Sequence, residues 1–339
     1  MTAGSVMAAE LAEQPTVLGR LVSRHEADRD QVRAVLPGRL AGTVLLARGS
    51  SDNVAVYGRY LVELASRRPA GLAAPSVHTR YEAHVDYNGY LVVALSQSGA
   101  TPEIVDTAAS MRRSGAVVVG VTNEPDSPLT EVSDLTLLTE AGPELAVPAT
   151  KTVTAQMLAM AAIAAASDAS LVTLPDLAAL PGAVASIVAD PAGADSVARR
   201  WQGARRLIVT GRGLAYAAAL ETALKIKETA RVHAEGLSSA DLLHGPIAAL
   251  DTRLPVLIVS GGERFAADER ALAARLATEG VPYAVCGSGA DLPLPAGVSE
   301  VTAPILATIR GQQLALASSL LRGLNPDAPA GLSKVTATH

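Results

Sequence analysis

The sequence predicts an α/β protein: two copies of one open, doubly wound parallel sheet with helices on both faces, followed by a docked C-terminal tail. Three observations carry this reading. Short, wholly apolar runs alternate with longer helical stretches, the pattern of central strands covered on both faces. The same strand–turn–helix unit occurs at 43–51 and again at 207–213. The 339 residues suit two domains of roughly 100–200 residues each.

In the first half, residues 43–47 (TVLLA) predict a strand that runs into Arg48-Gly49-Ser50-Ser51 and then a helix through Tyr60. Residues 91–95 (LVVAL) predict a second strand, followed by Ser96-Gln97-Ser98-Gly99 and a helix ending near Arg113. Residues 116–121 and 135–138 supply two further strands. In the second half, 207–210 (LIVT) lead into Gly211-Arg212-Gly213 and a helix over 215–232. Residues 255–260 and 283–286 are strands ending in Gly-rich turns. The Pro/Ala/Gly-rich stretch 174–195 is expected to hold the connection, in part helical, and the end of the chain to be an extended tail. The expected divisions are 1–180 with an N-terminal helix, 196–324, and the tail 325–339.

Composition excludes several classes of function. Lys+Arg 28 against Asp+Glu 33, a net charge of -5, leaves no basic excess for a nucleic-acid backbone. Although 49% of residues are hydrophobic, the longest unbroken apolar run, 157–166, is far short of the ~20 residues that cross a bilayer. Residues 1–15 lack Lys and Arg and carry Glu10 and Glu13, unlike a signal peptide. The single cysteine, Cys286, cannot support a disulfide framework or a Cys-based metal cluster. A soluble, cytoplasmic protein without membrane or nucleic-acid partners is expected.

Ser96-Gln97-Ser98-Gly99-Ala100-Thr101 follows a strand and opens a helix. Hydroxyls and backbone N–H groups converge there on a positively polarised helix end, a site for phosphate, though an ordinary N-cap uses the same residues. Arg48-Gly49-Ser50-Ser51 ends the preceding strand and faces the same crevice. Gly211-Arg212-Gly213 is no dinucleotide fingerprint, because Tyr216 occupies the third glycine position. Glu221, Lys225 and Glu228 share one helix face. Spacing alone favours a solvated Glu–Lys ladder, but the helix is otherwise apolar and runs on towards His233-Ala234-Glu235 and His244-Gly245-Pro246. A glutamate and a histidine that converge suit acid–base chemistry. His25, His78 and His84 show no ligand spacing, and Lys334 is the one cation of the last fifteen residues.

Together these segments, with Glu144–Lys151 (ELAVPATK), Ala219–Glu228 (ALETALKIKE) and Leu332-Ser333-Lys334, resemble the sugar isomerase (SIS) family, over nearly the whole chain. The resemblance implies two SIS domains, no cofactor or metal, a hexose 6-phosphate or amino-sugar 6-phosphate substrate, and a homodimer with His244 supplied across the interface. By position it implies a phosphate cradle of Ser96, Gln97, Ser98 and Thr101, with Ser50, Ser51 and Val147 along the sugar. Glu228 resembles the base that moves a proton between C1 and C2, His244 the ring-opening group, Lys334 the tail lysine at the carbonyl end, and Lys225 a supporting cation. Some members of the family carry a glutaminase domain with a nucleophilic cysteine, and neither is expected here; Pro148 and Ala149 stand where the family usually has small or hydroxyl residues, which suggests a different C2 substituent. The expected reaction is isomerising deamination of glucosamine 6-phosphate to fructose 6-phosphate and ammonia. Dehydration of N-acetylglucosamine 6-phosphate by the same base and a non-catalytic sugar-phosphate sensor are the alternatives.

Overall fold

The structure is a computed structural model describing residues 2–334, so the end of the expected tail, including His339, lies outside the described residues. In chain order the elements begin with α1 (Ser5–Val35), β1 (Gly42–Leu46), α2 (Ser50–Ser66), β2 (Ala70–Leu72), α3 (Ser76–Thr79), β3 (Tyr90–Leu95) and α4 (Pro102–Arg113). Next come β4 (Val117–Thr122), α5 (Pro128–Glu131), β5 (Leu135–Leu138), α6 (Lys151–Ala165), α7 (Leu174–Ala189) and α8 (Ala192–Arg200). The second series is β6 (Arg206–Gly211), α9 (Ala215–Ala230), β7 (His233–Ser238), α10 (Ser239–Leu243), β8 (Val256–Val259), α11 (Ala266–Thr278), β9 (Tyr283–Ser288), β10 (Leu292–Leu294) and α12 (Ala303–Leu321).

Both sheets have five strands, and every pairing in them is parallel. The first has the order β2-β1-β3-β4-β5. The second, read from its β7 edge, runs β7-β6-β8-β9-β10, the same permutation of chain order. Strand order therefore reverses between β1 and β3 in one sheet and between β6 and β8 in the other. Ligands of open α/β sheets bind beyond the strand C-termini at such a reversal.

Two compact units contain these sheets. One is formed by Thr16–Glu144 and Lys151–Ala178, the other by Leu145–Thr150, Ala179–Lys334 and the start of α1 through Pro15. In the first, β-branched and aliphatic runs put Val92, Ala94 and Val118 against the inward stripe of α4, namely Ile104, Ala108 and Met111. That i, i+4, i+7 spacing is the apolar face of an amphipathic helix. All of α6 is buried, and it packs on α2 at Gly58, where a Cβ would come within 2.6 Å of Met160 Cε. The longest apolar run is thus a core helix. In the other unit, Val256 and Ile258 pack with Leu272 and Leu276. There α12 crosses α9 closely because Gly311 faces Thr222, whose Cβ would lie 2.9 Å from an added one.

The stretch 174–195 is more helical than its composition suggests: it is largely the helices α7 and α8, with Pro181 inside α7, and the change from one unit to the other falls within it. Three strands had no sequence signal, β2, β7 and β10. Each is a sheet edge; two are only three residues long, and β7 reads HAEGLS, with little β-branched content. No single described helix is long and apolar enough to cross a membrane; α7 and α8 reach that measure only when joined through a 50° bend.

Candidate active site

The first unit holds the turn at which a phosphate cradle is expected. Ser96 leaves the end of β3 with its N–H bonded to Val121 O at 3.0 Å, and its buried hydroxyl accepts from Gly99 N at 3.1 Å, closing the turn. Gln97 O is held by Asn123 N and by the Thr122 hydroxyl, at 3.0 and 3.2 Å. Gly99 has φ +60, and an added Cβ would come within 2.5 Å of Ser127 Cβ, so the turn requires glycine on both counts. Helix α4 starts only at Pro102; Thr101 is its N-cap, yet its side chain makes no capping bond. Among the described residues, the N–H groups of Gln97, Ser98, Thr101 and Glu103 have no acceptor. An uncapped helix N-terminus with open N–H groups and two hydroxyls is an anion receptor. Ser96 shapes the turn, while Ser98 and Thr101 present their hydroxyls.

Beside the turn, Gly49 (φ 61) caps α2 without a side chain, and the Ser50 hydroxyl makes no bond among the described residues. Ser51 is buried and donates to Gln156 Oε1 at 2.9 Å, leaving its lone pairs as acceptors. Arg48 Nε bonds Glu103 Oε2 at 2.9 Å across the β1/β3 reversal. Burial raises the Asp52 carboxyl above its usual range, and Arg48 partly pulls it back.

The other unit holds the glutamates and lysine of α9 and the histidine for which acid–base roles are expected. On α9, the side chains of Lys225 and Glu221 are 1% and 2% exposed, their N···O separation is 3.5 Å, and Lys225 also bonds Glu228 Oε2. The solvated-ladder alternative is therefore overturned: the cation is buried between two carboxylates, and Glu228, 22% exposed, is the outer one. Removing Lys225 would leave uncompensated buried charge, at a cost of about 3–5 kcal/mol. A buried charged cluster of this kind is a candidate functional site. His244 ends α10; its ring is exposed, with no hydrogen bond or ion pair among the described residues.

Lys334 and Val147 also lie in this unit. Lys334 Nζ donates to Ala146 O at 2.8 Å, and Val147 N donates to Asp327 O at 2.9 Å. Sequence reasoning missed Glu10, which accepts from Leu145 N and from Ala146 N, the latter at 3.1 Å. It also missed Gln312, whose Nε2 donates to Thr150 O at 3.1 Å. Such partners lie too far apart in sequence for any local pattern to show them. Among the described residues there is no group of three His, Cys, Asp or Glu placed to hold a metal.

The SIS-domain family model matches residues 43–166 and 202–291. Over 97% of its length the chain is 32% identical to the isomerizing glutamine–fructose-6-phosphate aminotransferase of Pyrococcus horikoshii, and 31% identical to that of Thermus thermophilus. It spans 57% and 58% of those proteins. Among solved structures, a Silicibacter pomeroyi protein assigned as a phosphosugar isomerase is 33% identical with TM-score 0.85, covering 95% of this chain and 99% of that one. The glucosamine-6-phosphate deaminase of Thermotoga maritima has TM-score 0.83 at 21% identity over 98% of this chain and 100% of that one, a likeness of fold. With two matched segments and a near full-length relative, the chain belongs to the SIS-domain family.

Proposed function

We propose that this chain is an isomerising deaminase of glucosamine 6-phosphate, releasing fructose 6-phosphate and ammonia. The observation that carries the reading is the buried Lys225 with Glu228 at the outer end of its carboxylate pair. An acid–base carboxylate tied to a buried cation keeps a fixed position while its free oxygen moves a proton.

In this reading Ser98, Thr101 and the open N–H groups before α4 bind the 6-phosphate. His244, supplied in a homodimer by a second copy, opens the ring and exposes the C1 aldehyde. Glu228 takes the C2 proton, and the electron pair of the C2–H bond forms the C1=C2 bond of an enolamine. Lys334 and Lys225 offset the negative charge that develops. Protonation at C1 gives a 2-imine, water adds at C2, and ammonia leaves. The balance is one water consumed and one ammonia released for each fructose 6-phosphate formed.

The test is proton NMR of the protein with glucosamine 6-phosphate and, separately, N-acetylglucosamine 6-phosphate. Fructose 6-phosphate and ammonium growing in equal amounts from the first sugar supports the proposal. A new vinylic proton from the acetylated sugar alone would replace it with dehydration, and binding of either sugar without turnover would replace it with sensing.

A further inference from the structure

We infer that Glu10, on the N-terminal helix, is a positioning residue for Lys334, acting through loop 145–150. The inference rests on the proposed role of Lys334 in the active site.

Loop 145–150 has no regular secondary structure, and an irregular segment takes its shape from whatever bonds its backbone. Here those bonds come from α1, α12 and the tail. Glu10 is 3% exposed, and its Oε1 accepts from both Leu145 N and Ala146 N. The carbonyl of the same Ala146 accepts the Lys334 ammonium at 2.8 Å. One peptide step on, Val147 N donates to Asp327 O. The Asp327 carboxylate in turn accepts from Met7 N at 2.8 Å and Val6 N at 3.3 Å, capping the first turn of α1. The far end of the loop is tied by Gln312 to Thr150 O, and Gln312 Oε1 accepts from Gln14 Nε2 at 2.8 Å, again on α1.

The helix start, the loop and the tail thus form one clasp, with Glu10 opposite Lys334 on either side of Ala146. A carboxylate oxygen accepting the N–H groups of two consecutive residues, here Leu145 and Ala146, fixes the orientation of the adjoining peptide. Ala146 O is thereby aimed at the tail, and the flexible four-carbon stem of Lys334 gains a fixed resting point. Without Glu10 the start of the loop loses its anchor, and the lysine its seat at Ala146 O.

The test uses the full chain and two readouts. The first is acetylation by acetic anhydride, scored by mass spectrometry at Lys334 against the exposed Lys227 as internal standard. Glu10→Ala is expected to raise the Lys334:Lys227 labelling ratio at least threefold, and Glu10→Gln, which keeps an acceptor oxygen, to restore it to within 1.5-fold of wild type. Asp327→Ala, which loosens the clasp from the tail side, is expected to raise the ratio too, and stands in if Glu10→Ala does not fold. Unchanged ratios in both alanine variants would overturn the inference. The second readout is turnover: Glu10→Ala should lower kcat about tenfold with KM within twofold, and Glu10→Ala/Lys334→Ala should be no slower than Lys334→Ala. Multiplicative losses would mean that Glu10 acts independently of Lys334 and would also overturn it. If Lys334→Ala alone retains full activity, the assignment of Lys334 is at fault, while the labelling ratio still decides whether the clasp exists.

Discussion

The two sheets share one strand permutation, yet the turns at their reversal points have opposite fates. After β3, Ser96 N bonds Val121 O on the neighbouring strand; after β8, Ser260 N bonds Cys286 O in the same way, at 2.9 Å. The two serines are equivalent, and each crevice is crossed by an arginine pair, Arg48–Glu103 in one and Arg212–Asp268 in the other, both at 2.9 Å. Beyond that the turns diverge. In the second, Glu269 Oε2 accepts the Ser260 hydroxyl at 2.8 Å and its Oε1 accepts Gly261 N at 2.7 Å. The carboxylate takes the donors that an anion would take. The chain's one phenylalanine, Phe265, packs so tightly on Gly213 and Gly261 that an added Cβ at either would lie 2.8 or 2.6 Å from its ring. At the first turn the equivalent N–H, that of Gln97, is open, and Glu103 is held by Arg48 instead. One of two like crevices leaves its turn donors open, and the other satisfies them internally. Fold alone therefore does not make a site; the state of the donors does.

The glycines of the two turns break this comparison most sharply. Gly99→Ala combines a left-handed backbone with collision against Ser127, about 1–2 kcal/mol for the first and about 1–3 kcal/mol for the second. It is expected to weaken phosphosugar binding at least about 100-fold, some 2.7 kcal/mol, by isothermal calorimetry. Gly262→Ala also carries positive φ, but its Cβ would find only Glu300 Cγ at 3.6 Å. It should lower stability by about 1–2 kcal/mol and leave binding within twofold. Equal binding losses in the two variants would show that the second turn also takes ligand.

Glu269→Gln is a milder probe of the same difference. An amide keeps the shape but weakens charge-assisted bonds to Ser260 and Gly261, worth about 1 kcal/mol at a half-exposed position. The midpoint of thermal unfolding should fall by a few degrees while turnover stays unchanged. Altered turnover would tie the second crevice to the reaction.

The strands that flank both crevices were legible in the sequence because their apolar runs are buried on both faces, as with Val92–Val93 and Leu257–Ile258. The turns were legible too, since Ser-Gln-Ser-Gly and Ser-Gly-Gly end those runs. The fate of each turn was not. Glu269 reads as an ordinary acidic residue in the first turn of a helix, and Glu103 reads identically. Only the tertiary fold decides which carboxylate reaches back onto the donors. Likewise the spacing of Glu221, Lys225 and Glu228 gave a shared face, but their burial depends on α12 packing over α9, which no local period encodes. The helices α7 and α8 were obscured by Pro181, Pro191 and Gly193, punctuation that normally marks loops.

The smallest expected effect serves as a control independent of both turns. His25, on α1, is 3% exposed, and its Nδ1 has no hydrogen-bond partner. Burial and then Arg29 hold its imidazole below the ordinary 6.5, with Glu26 opposing. The unfolded chain therefore binds the proton more readily, so this contribution to stability is complete above pH 6.5 and is lost as pH falls through the lowered folded value. Urea midpoints should decline between pH 7 and pH 5, with a shallower decline in His25→Asn and the wild-type slope in Glu269→Gln. An unchanged slope in His25→Asn would remove His25 as the source.

In the proposed function Glu228, at the outer end of the buried Lys225 cluster, moves the C2 proton of a sugar whose phosphate binds at the Ser96–Thr101 turn. Deuterium wash-in at C2 of glucosamine 6-phosphate in D2O, followed by proton NMR, tests it most directly. Wild type should exchange C2–H during turnover, and Glu228→Gln should slow exchange about 10³-fold with phosphosugar affinity retained. Exchange in Glu228→Gln at the wild-type rate would contradict the account.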